Sequence, residues 1–251
     1  MRLPRILDET YRVAWGDLCY FKENFVSIMV SCLVGPLLYL FAFGYGLGSN
    51  MPSGVDDYLL FIVPGIVSMA TLSATFGFIS TKILIQKLFY SSFEELMLCP
   101  IRPSSIVLGK AFVGLLRGIC SCSIILITGM LIAPGIHITA LLILLILISS
   151  LTFSLLGILA GLLAKKHHSL TVFSGHVITP MTFLCGTIFS ISAVPEVFGY
   201  AIRCLPLTQP TEAIRAVMLD SPLPWVSIGL MLIYCMVFFF ADYHIIKNGK
   251  Y

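Results

Sequence analysis

The sequence predicts an all-α integral membrane protein with six transmembrane helices, and three observations carry that expectation. Of its 251 residues 58% are hydrophobic and only 11% charged, with a mean hydropathy of +1.00. A soluble domain usually has about 25% charged residues, so this chain lacks the polar surface to solvate a globule of its size. Second, six runs are long and apolar enough to span a bilayer core, which needs roughly 20 apolar residues each. Third, the basic residues fall on one side of those runs. These features exclude a cytosolic enzyme and a disordered chain. The net charge of +3 is too small to signal a nucleic-acid partner.

The spans are expected at about 25–47, 58–80, 106–133, 138–163, 170–191 and 225–246, in a single domain over 1–251. Gly35-Pro36, Pro64-Gly65 and Pro180 lie inside three of them. In lipid such breakers are tolerated where neighbouring helices take up the freed backbone groups, so their kinks are expected to face protein. Small-residue pairs recur at Gly44/Gly48, Gly114/Gly118 and Gly157/Gly161. Each puts both residues on one helix face, where backbones can approach within or between subunits.

Orientation follows from the connections. Arg2, Arg5, Arg12, Lys22, Lys82, Lys87, Arg102, Lys110, Lys165, Lys166, Lys247 and Lys250 belong to one set, and only Arg203 and Arg215 to the other. Excess lysine and arginine mark the cytoplasmic side. Both termini are therefore expected in the cytoplasm, in agreement with an even number of spans. Arg117 alone appears as an ionisable residue well inside a span, and snorkelling toward the basic side accounts for it.

Three further segments have character of their own. In residues 3–25, Leu3, Leu7, Tyr11, Ala14, Trp15, Leu18 and Phe25 recur at spacings of three and four, with charges largely between them. That pattern fits an amphipathic helix lying along the inner membrane face, with Tyr11, Trp15 and Leu18 at the interface; a helical extension of the first span is the alternative. In the connection 81–105, Ser92-Phe93-Glu94-Glu95 fits a capping box, Ser92 being the N-cap. A short helix Phe93–Leu98 should follow and stop before Pro100. It would display Phe93, Leu96 and Met97, either to a partner or back onto its own domain. The outer connection 192–224 is apolar and broken by Pro195, Pro206, Pro210, Pro222 and Pro224. A pair of short re-entrant or interfacial helices fits it, the second opening near Pro210 and Glu212 and running to Met218.

Chemistry of other classes finds no match. A phosphate loop needs Gly-x4-Gly-Lys-Ser/Thr, and neither Gly109-Lys110 nor Gly249-Lys250 completes it. An intramembrane serine protease would want Gly-x-Ser-Gly with a distant histidine. The nearest stretch, Val172-Phe173-Ser174-Gly175, lacks the first glycine, and His176 follows at once. The eight cysteines are scattered, with no CxxC or metal-like pairing; a bridge between Cys185 and Cys204 is left open. The spans read as nearly bare of acidic groups, against a proton- or sodium-driven pump. Energy must come from elsewhere, or the chain is a passive channel, a polytopic transporter of another class or a membrane scaffold.

Taken in order, several stretches resemble the permease subunits of ABC-2 type exporters, nearest to the nodulation-type lipo-oligosaccharide and drug-export permeases. They are Gly35-Pro36-Leu37-Leu38-Tyr39-Leu40-Phe41 with Gly44-Tyr45-Gly46-Leu47-Gly48, then Phe93 to Pro103 with Val107-Leu108-Gly109-Lys110. Thr179-Pro180-Met181, Phe183 to Phe189, Leu205-Pro206-Leu207-Thr208 and Ala213-Ile214-Arg215 follow. Cys99 stands where threonine is usual and Ser190 where proline is frequent.

The resemblance implies a dimer of transport subunits, not of catalytic chains, in the plasma membrane of a prokaryote. Each would pair with a cytosolic ATPase subunit, which would bind ATP and Mg, no cofactor being bound by this chain. Ser92, Phe93, Glu94, Glu95, Leu96, Met97 and Pro100 would form a coupling helix seated in the ATPase. Pro195, Glu196, Phe198, Arg203 and Pro206 would belong to an outer re-entrant pair, and the N-terminal helix would be the interfacial one. The substrate would be amphipathic, lipid-linked or drug-like, moved outward.

Overall fold

A computed structural model describes residues 5–48, 55–132, 138–187 and 195–249. Every element among the described residues is helical. In chain order they are α1 (Arg5–Glu23), α2 (Phe25–Gly48), α3 (Val55–Leu88), α4 (Ser92–Leu98), α5 (Pro103–Ile132) and α6 (Ala140–Leu163). After these come α7 (His167–Phe173), a π-helical turn (Ser174–Ile178), α8 (Thr179–Leu184), α9 (Glu196–Arg203), α10 (Thr208–Met218) and α11 (Trp225–Lys247).

Among the described residues five helices are long and apolar enough to cross a membrane: stretches of α2, α3, α5, α6 and α11. Where a fifth of six spans is expected at 170–191, the chain instead forms the composite α7–π–α8. Its break has a local cause. Pro180 has no N–H to return to the preceding turn, and the Thr179 N–H instead reaches back five residues to the Ser174 carbonyl. The Thr179 hydroxyl donates to the same carbonyl at 3.2 Å. Residues 188–191 of the expected span lie outside the described residues.

The core is built around α3, α5 and α6. Gly114 and Gly118 of α5 lie against Ser154 and Ser150 of α6, while Gly157 and Gly161 of α6 lie against Phe76, Ile79, Ser80 and Ile83 of α3. A Cβ at Gly114 would stand only 2.9 Å from the Ser154 Cβ. These two glycine pairs therefore pack within the chain; the packing of Gly44 and Gly48 lies outside the described residues. Several buried hydroxyls of α3 are satisfied by their own helix, which suits a water-poor interior. In α3, Thr71 Oγ1 donates to the Val67 carbonyl at 2.8 Å, and Ser80 Oγ to that of Phe76 at 2.7 Å.

Two expectations about helix breakers hold and one does not. Pro36 and Pro64 are buried, but Pro180 is exposed on the surface of the chain. At 34 residues, α3 is about 51 Å long. It is therefore longer than a hydrocarbon core of about 30 Å.

Candidate functional site

The end of the bundle that carries the basic residues has three structural parts: α1, the α3–α4–α5 connection and the end of α6. Asn24 separates α1 from α2, and the hydrogen-bond ladder runs through it, from Asn24 N to Tyr20 O at 3.1 Å and from Ile28 N to Asn24 O at 3.0 Å. The two helices nevertheless take different partners, α1 chiefly α5 and α2 chiefly α3. Val13, Ala14 and Asp17 make the buried side of α1. Tyr11 and Trp15 stay exposed, with ring centroids 5.4 Å apart, and Leu18 is half-buried. An apolar stripe thus remains on the face turned from the bundle, as an interfacial helix requires.

Glu9 binds α1 to the start of α5. Its Oε2 accepts from Ser105 Oγ at 2.9 Å and from the Arg102 N–H at 3.3 Å. A carboxylate here satisfies donors at a helix start that have no partner within the helix. The Ser105 hydrogen bond, aided by Arg102, holds the Glu9 carboxyl below the ordinary carboxylate value of 4.5. One turn further, Gly109 lets Val13 approach: a Cβ there would meet Val13 Cγ1 at 2.8 Å and Thr10 O at 3.0 Å.

Deeper in, a charged group crosses three helices. Lys110 Nζ lies 2.6 Å from Asp17 Oδ2 and donates to Gln86 Oε1 at 2.8 Å. Gln86 Nε2 donates to Asp17 Oδ1 at 3.2 Å, closing the triangle. Lys82 stands 3.9 Å from Asp17 and over the Tyr20 ring at 3.7 Å. The sequence reading assigned Lys82 and Lys110 to a solvated connection and missed their buried partner Asp17. The available signal was an aspartate on the apolar side of α1's helical period.

Helix α4 departs from its expected form. Ser91, not Ser92, flanks α4, with left-handed backbone at φ 53°, and no side chain caps the helix. The Ser91 carbonyl accepts from Glu94 N and Glu95 N at 3.0 and 3.1 Å. Ser92 is thus the first helical residue, and the capping box is absent. Phe93 is not displayed: it is 2% exposed, in a cluster with Ile79, Ile83, Ile106 and Val107. Leu96 and Met97 are partly buried against that cluster. This anchor leaves Glu94, Glu95, Pro100 and Leu98 outward, Leu98 at 87% exposure. Phe89 and Tyr90, just before α4, are exposed as well. Lys87 holds the end of α6 beside it, donating to Leu162 O and Ala164 O at 2.8 and 2.9 Å, where a cation suits the helix C-terminus.

At the opposite end, α10 rather than α9 enters the bundle. Thr208, Gln209, Thr211, Ala213, Ile214 and Val217 are buried, against α3, α6 and α11. In α9, Phe198 and Arg203 are exposed and Pro195 precedes its first turn; the side chain of Glu196 lies outside the described residues. Pro206 is half-buried in the link between the two. Thr208 Oγ1 donates to Ile202 O at 2.6 Å, and Gln209 Nε2 to Arg203 O, folding the pair into a hairpin. From α11, Tyr234 OH donates to Cys204 O at 2.6 Å. Arg215 of α10 donates from Nη2 to Gly186 O at 2.7 Å and stacks on Phe61 of α3 at 4.0 Å. Cys185 and Cys204 are both free thiols, the former buried and the latter exposed.

Within the spans, two residues add to the sequence reading. Arg117 is 6% exposed, its guanidinium 4.2 Å over the Phe78 ring, and it lines one space with Tyr20 and Lys82. Asp242 of α11 is fully buried, and among the described residues neither of its carboxyl oxygens has a hydrogen-bond partner. It was overlooked because it lies close to the end of an apolar run, beside Tyr243 and His244. His176 lies 2.9 Å through Nδ1 from the Val172 carbonyl of its own helix.

The chain matches the protein-family model for the ABC-2 type transporter over residues 9–219. It is 25% identical over 237 residues to the inner membrane transport permease YadH of Escherichia coli (strain K12), covering 91% of this chain and 92% of that one. It is 28% identical over 251 residues to nodulation protein J of Rhizobium meliloti (strain 1021), with 93% and 94% covered. Nodulation protein J of Rhizobium leguminosarum bv. trifolii is 28% identical over 255 residues, with 94% and 89% covered.

Proposed function

The chain belongs to the ABC-2 type transporter family, and on that premise we propose that this multi-pass membrane permease is the transmembrane subunit of an ATP-driven exporter. A separate cytosolic ATPase subunit binds ATP and Mg and supplies the work. Two permeases pair, with six spans each, α7–π–α8 serving as the fifth. Both termini face the cytoplasm, in keeping with the twelve-to-two distribution of basic residues.

The observation that carries the reading is the build of α4. Phe93 fastens the helix to the bundle while Leu98, Glu94 and Glu95 stand out from it. A push on the exposed residues therefore reaches α3 and α5 through a packed side chain rather than through a loose loop. Leu98, Phe89 and Tyr90 offer apolar contact and the two glutamates a charged rim, the make-up of a docking surface. An amphipathic, lipid-linked or drug-like cargo suits spans with so few charges.

The test is co-purification with the partner ATPase, followed by hydrolysis measurements across a panel of amphipathic compounds. Stimulated hydrolysis is expected from the complex, and Leu98→Asp or Glu94→Ala with Glu95→Ala should lower it while the permease stays folded. Full transport activity of the chain in vesicles free of any other polypeptide would sink the proposal.

A further inference from the structure

Where α6 gives way to α7 there is a cavity of about 180 Å³, lined among others by Leu156, Leu159, Ala160, Leu163, Leu170 and Phe173. Ser169 is the one polar side chain in its lining. Leu163 is 59% exposed and Phe173 half-buried, so the cavity opens at the surface of the bundle. Leu163 also closes the stretch of α6 that is apolar enough to cross a membrane. The cavity therefore lies where that apolar stretch runs out.

The lining stops at Ala164 and resumes at Ser169. Between them stand Lys165, Lys166, His167 and His168, all four exposed. Consecutive Cα atoms are about 3.8 Å apart, so two cations and two imidazoles border the cavity by covalent connection alone. No described acid pairs with the lysines: the salt bridges among the described residues involve neither Lys165 nor Lys166. The sequence has no Asp or Glu from residue 96 to residue 195. Lys87 of α3, which donates to the Leu162 and Ala164 carbonyls, adds a like charge that repels Lys165. Because α3 leads directly into α4, this is the end of the bundle that carries α4. The cavity toward the other end has an acid, Asp220, in its lining instead.

We propose that this cavity binds an anionic phospholipid of the leaflet on the α4 side. One acyl chain lies against Leu159, Leu163 and Phe173, and the phosphate is held by Lys165 and Lys166, with ring N–H donors of His167 and His168 beside it. The order along the chain, apolar wall and then cations, is the order of tail and headgroup in such a lipid. An acyl chain takes the exposed apolar lining out of water, and basic residues just past a span attract anionic lipid. The lipid is a resident of the permease, whatever cargo it moves.

The full chain, purified in mild detergent, is titrated with phosphatidylglycerol, with phosphatidylcholine of the same acyl chains and with inorganic phosphate, and bound lipid is counted by native mass spectrometry. A preference for phosphatidylglycerol of about tenfold or more is expected, because each of two lysines favours the anionic headgroup. Lys165→Gln with Lys166→Gln should remove it, and Lys165→Arg with Lys166→Arg should retain it. Lys22→Gln with Lys247→Gln, an equal loss of charge at exposed cations elsewhere, should leave it unchanged. Ser169→Trp, a ring at an exposed lining position, should weaken both lipids about tenfold. Should it fail to fold, Leu163→Asp, at the exposed rim, should do the same. Equal binding of the two lipids by the unaltered chain overturns the site. So does an undiminished preference in the Lys165/Lys166 Gln variant, or an equal fall in the Lys22/Lys247 control. Unchanged lipid binding in a folded Ser169→Trp or Leu163→Asp variant overturns the acyl-chain cavity. Inorganic phosphate that competes out the lipid overturns the lipid and leaves a soluble anion.

Discussion

Lys110 Nζ and the Asp17 carboxylate meet at 2.6 Å, each residue 4% exposed, and so tie α1 to α5. The pair is not symmetric, because Lys82 stands 3.9 Å from the same carboxylate. Loss of Asp17 takes the acid from buried Lys110 and from half-buried Lys82, whereas loss of Lys110 leaves an acid that still has Lys82 nearby. Breaking a buried pair by removing one partner typically costs about 3–5 kcal/mol. Asp17→Asn should therefore lower the thermal midpoint of the purified permease more than Lys110→Met. The double variant should recover part of the loss. Equal effects of the two single changes, simply additive in the double, would contradict this network.

Glu9 gives a pH dependence with a defined sign. Its carboxyl is held below 4.5 in the folded chain, first by the Ser105 hydroxyl. A lowered folded value means its contribution is present above the unfolded value and is lost as pH falls through the folded one. Wild type should thus exceed Glu9→Gln in thermal midpoint near neutrality. The two should converge in acid below 4.5. A gap that widens toward low pH would refute the assignment.

Among the described residues, Gly65 makes the closest glycine-to-backbone approach, toward the end of the bundle away from α4. A Cβ there would stand 2.3 Å from the Thr187 carbonyl oxygen and 2.8 Å from its Cα. Both are backbone atoms, and Arg215 holds the neighbouring Gly186 carbonyl, so neither yields easily. Gly65→Ala should destabilise by about 1–3 kcal/mol, as overpacking does. Gly35→Ala, with nothing within 4 Å, should be neutral or slightly stabilising. The comparison is read from unfolding of the two variants side by side.

Asp242 is buried, with no hydrogen-bond partner for either oxygen among the described residues. An unmade buried hydrogen bond costs about 1–3 kcal/mol, so Asp242→Leu should raise the thermal midpoint. A fall instead would mean that the carboxylate has a partner in the working assembly that the isolated chain does not provide.

Most of the architecture follows from one-dimensional pattern. Long apolar runs must be helical in lipid, since every backbone polar group has to be satisfied within its own segment. The starts of α5 and α11 at Pro103 and Trp225 follow from that rule and from proline's place in a first helical turn. Periodicity likewise placed the outward stripe of Tyr11 and Trp15. Side-chain destinations were not determined in this way. Whether Phe93 faces a partner or its own domain is open in the sequence, and only the fold back of α4 onto Ile79 and Ile106 buries it. Lys110 reads as a member of the basic connections until α1 brings Asp17 alongside. The aromatic partner of Arg117 is fixed only when α3 presents the face of Phe78. The break at Ser174–Ile178 follows from Pro180, yet its exposed face was set by which helices lie beside it. Hydropathy is a sum over one segment and therefore fixes where a helix lies in a membrane. Pairing energy depends on distances between segments, and those exist only once the helices have packed.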